Sequence, residues 1–354
     1  MAVTNTRAAL IRAVVSCVPP RRFDNLTETT GFEPEEVQKV VRMAGVKGRY
    51  TADDHTTSGD LCITAARQAL QHLAWEPASV DALIMVTQSP DYFLPSTACV
   101  AHRDLGLSDR CAAFDVGLGC SGYSYGLWLA GMMLERQGFE RVLLLHGETP
   151  TRFSDKSDRS VALLFGDAGS ATAIERGQDP GAKWWFSLHT DGTGWEDLVI
   201  YGGGFRERSP SDPKRHFVRM NGANIFNFTI KRVPPMIEDT LAAAGVTREQ
   251  VDYFIFHQSN QFIMRHLVAK AGLPVGKVPM TIGDFGSAGG PSVPLTIVQG
   301  KLARPTDRPL KLLLLAYGVG LSWGSGLVQL PADAKLCHVV CESRIQDTTK
   351  EKLA

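Results

Sequence analysis

This chain of 354 residues has no run of like charge, no membrane-length apolar stretch and no even complement of cysteines. Its 37 Lys and Arg are balanced by 37 Asp and Glu. They are dispersed, which leaves no basic surface to suit nucleic acid. Without about 20 consecutive uncharged apolar residues, nothing is expected to span a membrane. The opening segment MAVTNTRAALIRAVVSCVPPRRF has too short an apolar run and too many arginines for a signal peptide, so a cytoplasmic location is expected. The seven cysteines are an odd number set mostly in apolar segments, which points to reduced thiols rather than a disulfide framework. Cys337, His338 and Cys341 lack a second ligand pair, so no metal site is expected.

What is present is a repeat. ALQHLAWEPASVDALIMV, from Ala69, is matched by TLAAAGVTREQVDYFIFH, from Thr240, so that Val80-Asp81 recurs as Val251-Asp252. RVLLLHG from Arg141 recurs as KLLLLAYG from Lys311, and DVGLGCSGYSYGLWLA from Asp115 faces DFGSAGGPSVPLTIVQ from Asp284. Three segments in one order at nearly one spacing divide the chain into similar halves, 1–176 and 177–330, with residues 331–354 as a more polar C-terminal extension. Each half alternates apolar runs with amphipathic helical runs, the pattern of parallel βαβ units. The runs Leu83–Val86, Val142–Leu145, Phe254–Phe256 and Leu312–Leu315 are continuously apolar, as strands covered on both faces are. The helices after Asp115 and Asp284 are apolar all round and are expected to be buried between two sheets.

Cys120 falls where the strand-like run AFDV turns through glycines into the first of those helices. The unpaired N–H groups and the dipole at a helix N-terminus favour negative charge and are expected to bring the thiol below its free pKa of about 8.5. The spacing leaves two readings open: a reactive thiol, or a small buried core residue. A working thiol needs a base and donors for the developing oxyanion. Of nine histidines, His146 and His257 follow apolar strands, and His257 is succeeded abruptly by Gln258, Ser259 and Asn260. Ligands collect beyond the carboxyl ends of such strands. The pseudo-twin loop Gly283–Pro294 offers Ser287, and the turn AYGVGLSWGSG offers backbone N–H groups.

These motifs resemble the thiolase superfamily, specifically the β-ketoacyl-acyl-carrier-protein synthase III-like (ketosynthase III-like) enzymes, from about residue 10 to 330. The resemblance is carried by PSTACVAHRDLGL, AFDVGLGCSGYSYGL, DRSVALLFGDAGSATAI, HTDGTG, MNGANIF, FHQSN, DFGSAGGPSVPL and YGVGLSWGSGLV, in that order. It implies an α/β fold, the thiolase-like five-layered αβαβα sandwich built from two duplicated halves, and a homodimer. It also implies that Cys120 takes an acyl group from an acyl-CoA or acyl carrier protein thioester, with no permanently bound cofactor. His257 matches the catalytic histidine, and the N–H groups of Cys120 and Val319 match the oxyanion hole. Lys47 and Arg159 match basic residues of the coenzyme A site, and Asn260 belongs to the histidine motif and is assigned to substrate binding. Leu94 stands where a phenylalanine often closes the partner subunit's acyl pocket, which implies a longer or bulkier primer.

Two departures bear on the chemistry. Ser287 replaces the asparagine that, with the histidine, supports decarboxylation of a malonyl unit, and losing such a donor costs about 10²–10³ in rate. Lys39 replaces a tryptophan that stacks on adenine. The expected reaction is therefore acyl loading on Cys120, then either decarboxylative Claisen condensation with a malonyl thioester or acyl transfer to an alcohol, amine or other carbon nucleophile. Fatty-acid initiation and polyketide-type metabolism are the expected settings. A scaffold that pairs with an active homologue is the non-enzymatic alternative.

Overall fold

The computed structural model describes residues 3–7, 9–179 and 181–342. Two mixed sheets face each other across a helical layer. The six-stranded sheet runs Lys335–Val340, Leu10–Val18, Ala168–Glu175, Arg141–Glu148, Ala82–Val86, Ala112–Val116. The five-stranded sheet runs Val3–Arg7, Lys183–Thr190, Ser322–Leu330, Leu310–Gly318, Tyr253–Phe256. In both, the runs singled out by the repeat lie side by side and parallel: Leu83 opposes Leu143, and Ile255 opposes Leu314. The alignment of Asp81 with Asp252 has a physical basis. Asp81 accepts from the backbone N–H of Arg141 at 2.9 Å, and Asp252 from that of Lys311 at 2.7 Å, so each carboxylate pins the start of the neighbouring strand.

Alternation along the strands builds the five layers. Leu83, Met85, Leu143 and Leu145 point outward under the helices Ser58–Leu73 and Thr97–Leu105. Ile84, Val86, Val142 and Leu144 point inward. There they meet Tyr123 and Leu127 of the helix Gly122–Leu134, Val293 and Ile297 of the helix Ser292–Gln299, and Leu312 and Leu314 of the second sheet. The second sheet's outer face packs Phe254, Leu313 and Leu315 against the helices Gly222–Ala244 and Gln261–Lys270. Side chains of this size each contribute about 1.5–3 kcal/mol when fully buried, so the central layer fixes the meeting of the halves.

Two observations differ from the sequence reading. The helix Gly122–Leu134 is not buried all round: Trp128, Leu129, Met132 and Met133 keep partial exposure beside the free edge strand Ala112–Val116. Two strands also cross the division between the halves. Val3–Arg7 pairs antiparallel with Lys183–Thr190 of the second sheet, and Lys335–Val340 pairs parallel with Leu10–Val18 of the first.

Candidate active site

The glycine turn places Cys120 just ahead of the central helix Gly122–Leu134, with Gly122 N–H closing onto Gly119 O at 2.8 Å. A Cβ at Gly318 would lie 2.7 Å from the sulfur, so the thiol occupies the space a side chain there would fill. The backbone N–H groups of Val319 and of Cys120 itself act on that sulfur in favour of its anion. Ser121 Oγ and Ser322 Oγ are 2.6 Å apart, and the Ser322 hydroxyl donates to Val319 O at 2.8 Å. These bonds tie the cysteine turn of one half to the Val319 turn of the other.

The expected depressed thiol pKa is overturned. Burial pushes the Cys120 thiol up to about 11; the N–H of Val319 and its own N–H pull down against this, while Glu148 adds to the rise. Magnitudes explain the outcome. A helix N-terminus contributes at most about 2 kcal/mol, roughly one and a half pKa units, whereas burial can move a group by about 3–5 units. At neutral pH the residue is a thiol, and nucleophilic work requires a base.

His257 lies at the end of the strand Tyr253–Phe256, its N–H bonded to Leu315 O at 2.7 Å. Its Nδ1 is 3.0 Å from Gly289 O and 2.9 Å from Ser292 Oγ. Tyr317, next to Gly318, packs edge-on against the ring at 5.6 Å. Burial pushes the imidazole down to about 4, with the Gly289 carbonyl working against it. Gln258 clips the segment in place: its N–H donates to Ser292 Oγ at 3.1 Å, and its Oε1 accepts from Thr281 N–H at 2.9 Å.

Two further buried titratable groups adjoin this centre. Glu148 accepts from Gln88 N–H at 2.8 Å and Ser89 Oγ at 2.9 Å, and burial pushes it up to about 8. His146 is pushed down to about 3, by burial first and then by His257. Its ring fits only because residue 290 is glycine, where a Cβ would fall 1.9 Å from its Cε1. The sequence flagged His146 by its strand-end position. Glu148 and Ser292 carried no signal beyond following a strand and opening a helix.

The other expected site residues divide. Ser287 is buried, its N–H bonded to Leu164 O at 2.9 Å and its O accepting from Gly166 N–H at 3.2 Å, in a bridge alongside Phe165. Asn260 caps the helix Gln261–Lys270, its side-chain carbonyl accepting from Ile263 N–H at 2.7 Å. Lys47 and Arg159 are exposed, and Arg159 pairs with Glu36. Neither lines the cleft of about 810 Å³ whose wall includes Phe165; its basic residues are instead Arg21, Arg49, Arg152 and Lys156. Leu94 is 86% exposed and neighbours the exposed Tyr92 and Phe93. Among the described residues, no three His, Cys, Asp or Glu side chains converge as metal ligands, and no helix is long and apolar enough to cross a membrane.

Comparison with known proteins agrees with this architecture. Residues 114–192 match the model of 3-oxoacyl-[acyl-carrier-protein] synthase III, and residues 241–330 match that of its C-terminal region. A β-ketoacyl-[acyl-carrier-protein] synthase III of Syntrophomonas wolfei is 32% identical over 318 residues, covering 89% of this chain and 95% of the relative. The crystal structure of a 3-oxoacyl-(acyl-carrier protein) synthase from Burkholderia xenovorans LB400 superposes with a TM-score of 0.91 at 39% identity, covering 96% of this chain and 99% of the other. The priming β-ketosynthase of the R1128 polyketide pathway superposes with a TM-score of 0.81 at 26% identity, covering 94% and 98%. With the duplicated halves, the cysteine turn and the histidine strand in one layered sandwich, this chain belongs to the β-ketoacyl-[acyl-carrier-protein] synthase III family, a ketosynthase III-like branch of the thiolase superfamily.

Proposed function

We propose that the protein is an acyl-thioester-dependent condensing enzyme working through a covalent acyl group on Cys120. The observation that carries this is the seat of Cys120 where the halves meet: its sulfur fills the space beside Gly318, and Ser121 Oγ, 2.6 Å from Ser322 Oγ, ties its turn to the one that carries the Val319 N–H. When that sulfur attacks a thioester, the carbonyl oxygen becomes an anion beside it, and donors already in place stabilise the charge without reorganisation. His257 is the base, and burial keeps its imidazole in the neutral form, with a lone pair, at neutral pH. The acyl-enzyme then gives its acyl group to the carbon of a malonyl thioester, with loss of CO₂, in fatty-acid or polyketide-type priming.

The cleft walled by Arg21, Arg49, Arg152 and Lys156, with Thr29, Thr30 and Thr51 along it, suits the phosphates and polar arm of coenzyme A or of a carrier-protein prosthetic group. Assembly as a homodimer is supported by the free edge strand Ala112–Val116 and the half-exposed Trp128, Leu129, Met132 and Met133 next to it. Covering an apolar patch and an unpaired edge at once is what an isologous contact does. Trp128→Glu should turn a dimer into a monomer in sedimentation velocity. A dimer unaffected by the charge would remove this surface from the proposal.

Ser287 favours a second reading, acyl transfer without decarboxylation, because its side chain is shorter than asparagine's and no hydrogen bond to its hydroxyl occurs among the described residues. One experiment addresses both. Intact mass after incubation with a panel of acyl-CoA thioesters should show one acyl adduct, absent in Cys120→Ala. Labelled malonyl thioester should then release ¹⁴CO₂ in step with product. An adduct without CO₂ release selects the second reading, and no adduct with any thioester rejects both.

A further inference from the structure

The strand Ala82–Val86 ends beside the cysteine turn, where a Cβ on Gly122 would fall 2.5 Å from Val86 Cγ1. The three residues after it are held unequally. Thr87 and Ser89 are tied inward. Thr87 N–H donates to Val116 O at 3.2 Å, and Thr87 Oγ1 accepts from Ser89 N–H at 3.0 Å. Ser89 Oγ lies 2.9 Å from Glu148 Oε2 and accepts from Thr149 N–H at 3.0 Å, while Ser89 O accepts from Ser58 Oγ at 2.6 Å. Between them, Gln88 gives its backbone N–H to Glu148 Oε1 at 2.8 Å. Its side chain is exposed, and the amide makes no hydrogen bond among the described residues. A stiff backbone thus presents one free amide.

That amide lies against the turn that carries the nucleophile. A Cβ on Gly119 would fall 2.1 Å from Gln88 Oε1 and 3.2 Å from Val319 Cγ1. Glycine before Cys120 leaves the amide its room, between the cysteine turn and the Val319 turn. Bond lengths along Gly119–Cys120 keep it within about 10 Å of the sulfur. An acyl chain of a few carbons, with one hydrogen bond of about 3 Å, spans that gap. An exposed amide is served by water until such a chain enters. A hydrocarbon chain then leaves two N–H donors and a carbonyl without partners, whereas a chain bearing oxygen replaces the water. Unpaired polar groups of this kind are what reject an analogue that lacks the matching atom. A carboxylate is a poor match, because the titratable side chain bound to this segment is the acid Glu148, which pairs with no Lys or Arg among the described residues.

We infer that Gln88 is a specificity-determining residue that selects acyl thioesters carrying an uncharged oxygen, hydroxyl or oxo, a few bonds from the thioester carbonyl. The inference rests on Cys120 being the residue that takes the acyl group. The test follows Cys120 acylation by intact mass in single turnover. It uses butyryl-CoA and octanoyl-CoA, both enantiomers of their 3-hydroxy forms, and succinyl-CoA as the charged control. In the wild type, one 3-hydroxy form should load about ten-fold faster than its plain partner of the same length, and succinyl-CoA should load slowest. Gln88→Leu and Gln88→Met, near glutamine in size but without the amide, should bring the hydroxy-to-plain ratio to about one. The ratio is taken within each variant, so a loss of folded enzyme cancels. A wild-type ratio near one overturns the inference, as does a ratio that survives both substitutions or a preference for succinyl-CoA. No adduct from any of these thioesters, with Cys120 still alkylated by iodoacetamide, rejects the proposed function itself, and the inference falls with it.

Discussion

The two central turns descend from one repeated pattern and do opposite work. In the first half, the turn after Asp115 ends in Cys120 and Ser121. In the second, the turn after Asp284 carries Gly289, Gly290 and Ser292, with no nucleophile. The first turn presents a sulfur, and the second presents a carbonyl and a hydroxyl that grip an imidazole. The strand ends divide likewise. Val86 ends one strand where His257 follows its twin, and His146 stands where the second half has Ala316. Duplication thus supplied two equivalent frames, and the chemistry came from filling equivalent positions differently. The same asymmetry shows on the surface, where one central helix keeps Trp128, Leu129, Met132 and Met133 partly exposed and the other is buried from Ser292 through Ile297.

The sharpest way to break the comparison is to fill the gap where the halves touch at the sulfur. Gly318→Ala puts a methyl 2.7 Å from the Cys120 sulfur. Overpacking of this kind costs about 1–3 kcal/mol, so single-turnover acylation should fall roughly ten- to hundred-fold. Unchanged acylation would mean that the turns are not in contact during loading.

A smaller effect separates the buried acid of the first half from the buried imidazole of the second. Glu148 is raised to about 8, so the native state holds a proton that the unfolded chain, titrating near 4.3, has lost. Native stability from this group is therefore full below about pH 4 and is lost as pH rises toward 8. Glu148→Gln should raise the melting temperature at pH 9 and leave it nearly unchanged at pH 4. His257, held near 4, has the opposite sign. The unfolded chain binds its proton first, near 6.5, so stability declines as pH falls from about 6.5 toward 4. Melting curves of Glu148→Gln that run parallel to wild type across pH would refute the buried-acid account.

The smallest effect tests the symmetry itself. Asp81 pins its half through the N–H groups of Glu140 and Arg141, and Asp252 does so through Lys311 N–H plus the guanidinium of Arg308. Asp81→Asn and Asp252→Asn should each cost about 1–3 kcal/mol in denaturant unfolding. Because Arg308 is exposed, its pair adds little, and the two costs should agree within about 1 kcal/mol. A clear inequality would show that one half bears more of the stability.

Much of this was legible in the residues. Continuous apolar runs located the parallel strands within a few positions, and the repeat located both central turns. What escaped the sequence is what depends on partners distant along the chain. VTNTR has no hydrophobic pattern to mark Val3–Arg7 as a strand, and where KLCHVV allows one at Lys335–Val340, any free sheet edge would accept it. The sign of the Cys120 shift was missed because burial is a sum over the whole fold, while the helix terminus is local. Arg21 and Arg49 reach their cleft from two strands paired with each other, and Arg152 from a short helix about a hundred residues further on, and no local spacing records that.

The strand exchange reaches into how the protein is made. Leu10–Val18 is made long before its outer neighbour, Lys335–Val340. Until that later strand is made, an apolar strand edge stays open and the N-terminal half cannot finish as an independent body. Truncation after residue 330 should therefore leave a nascent sheet with a sticky margin. The repeat is stitched into one molecule by the strands Val3–Arg7 and Lys335–Val340.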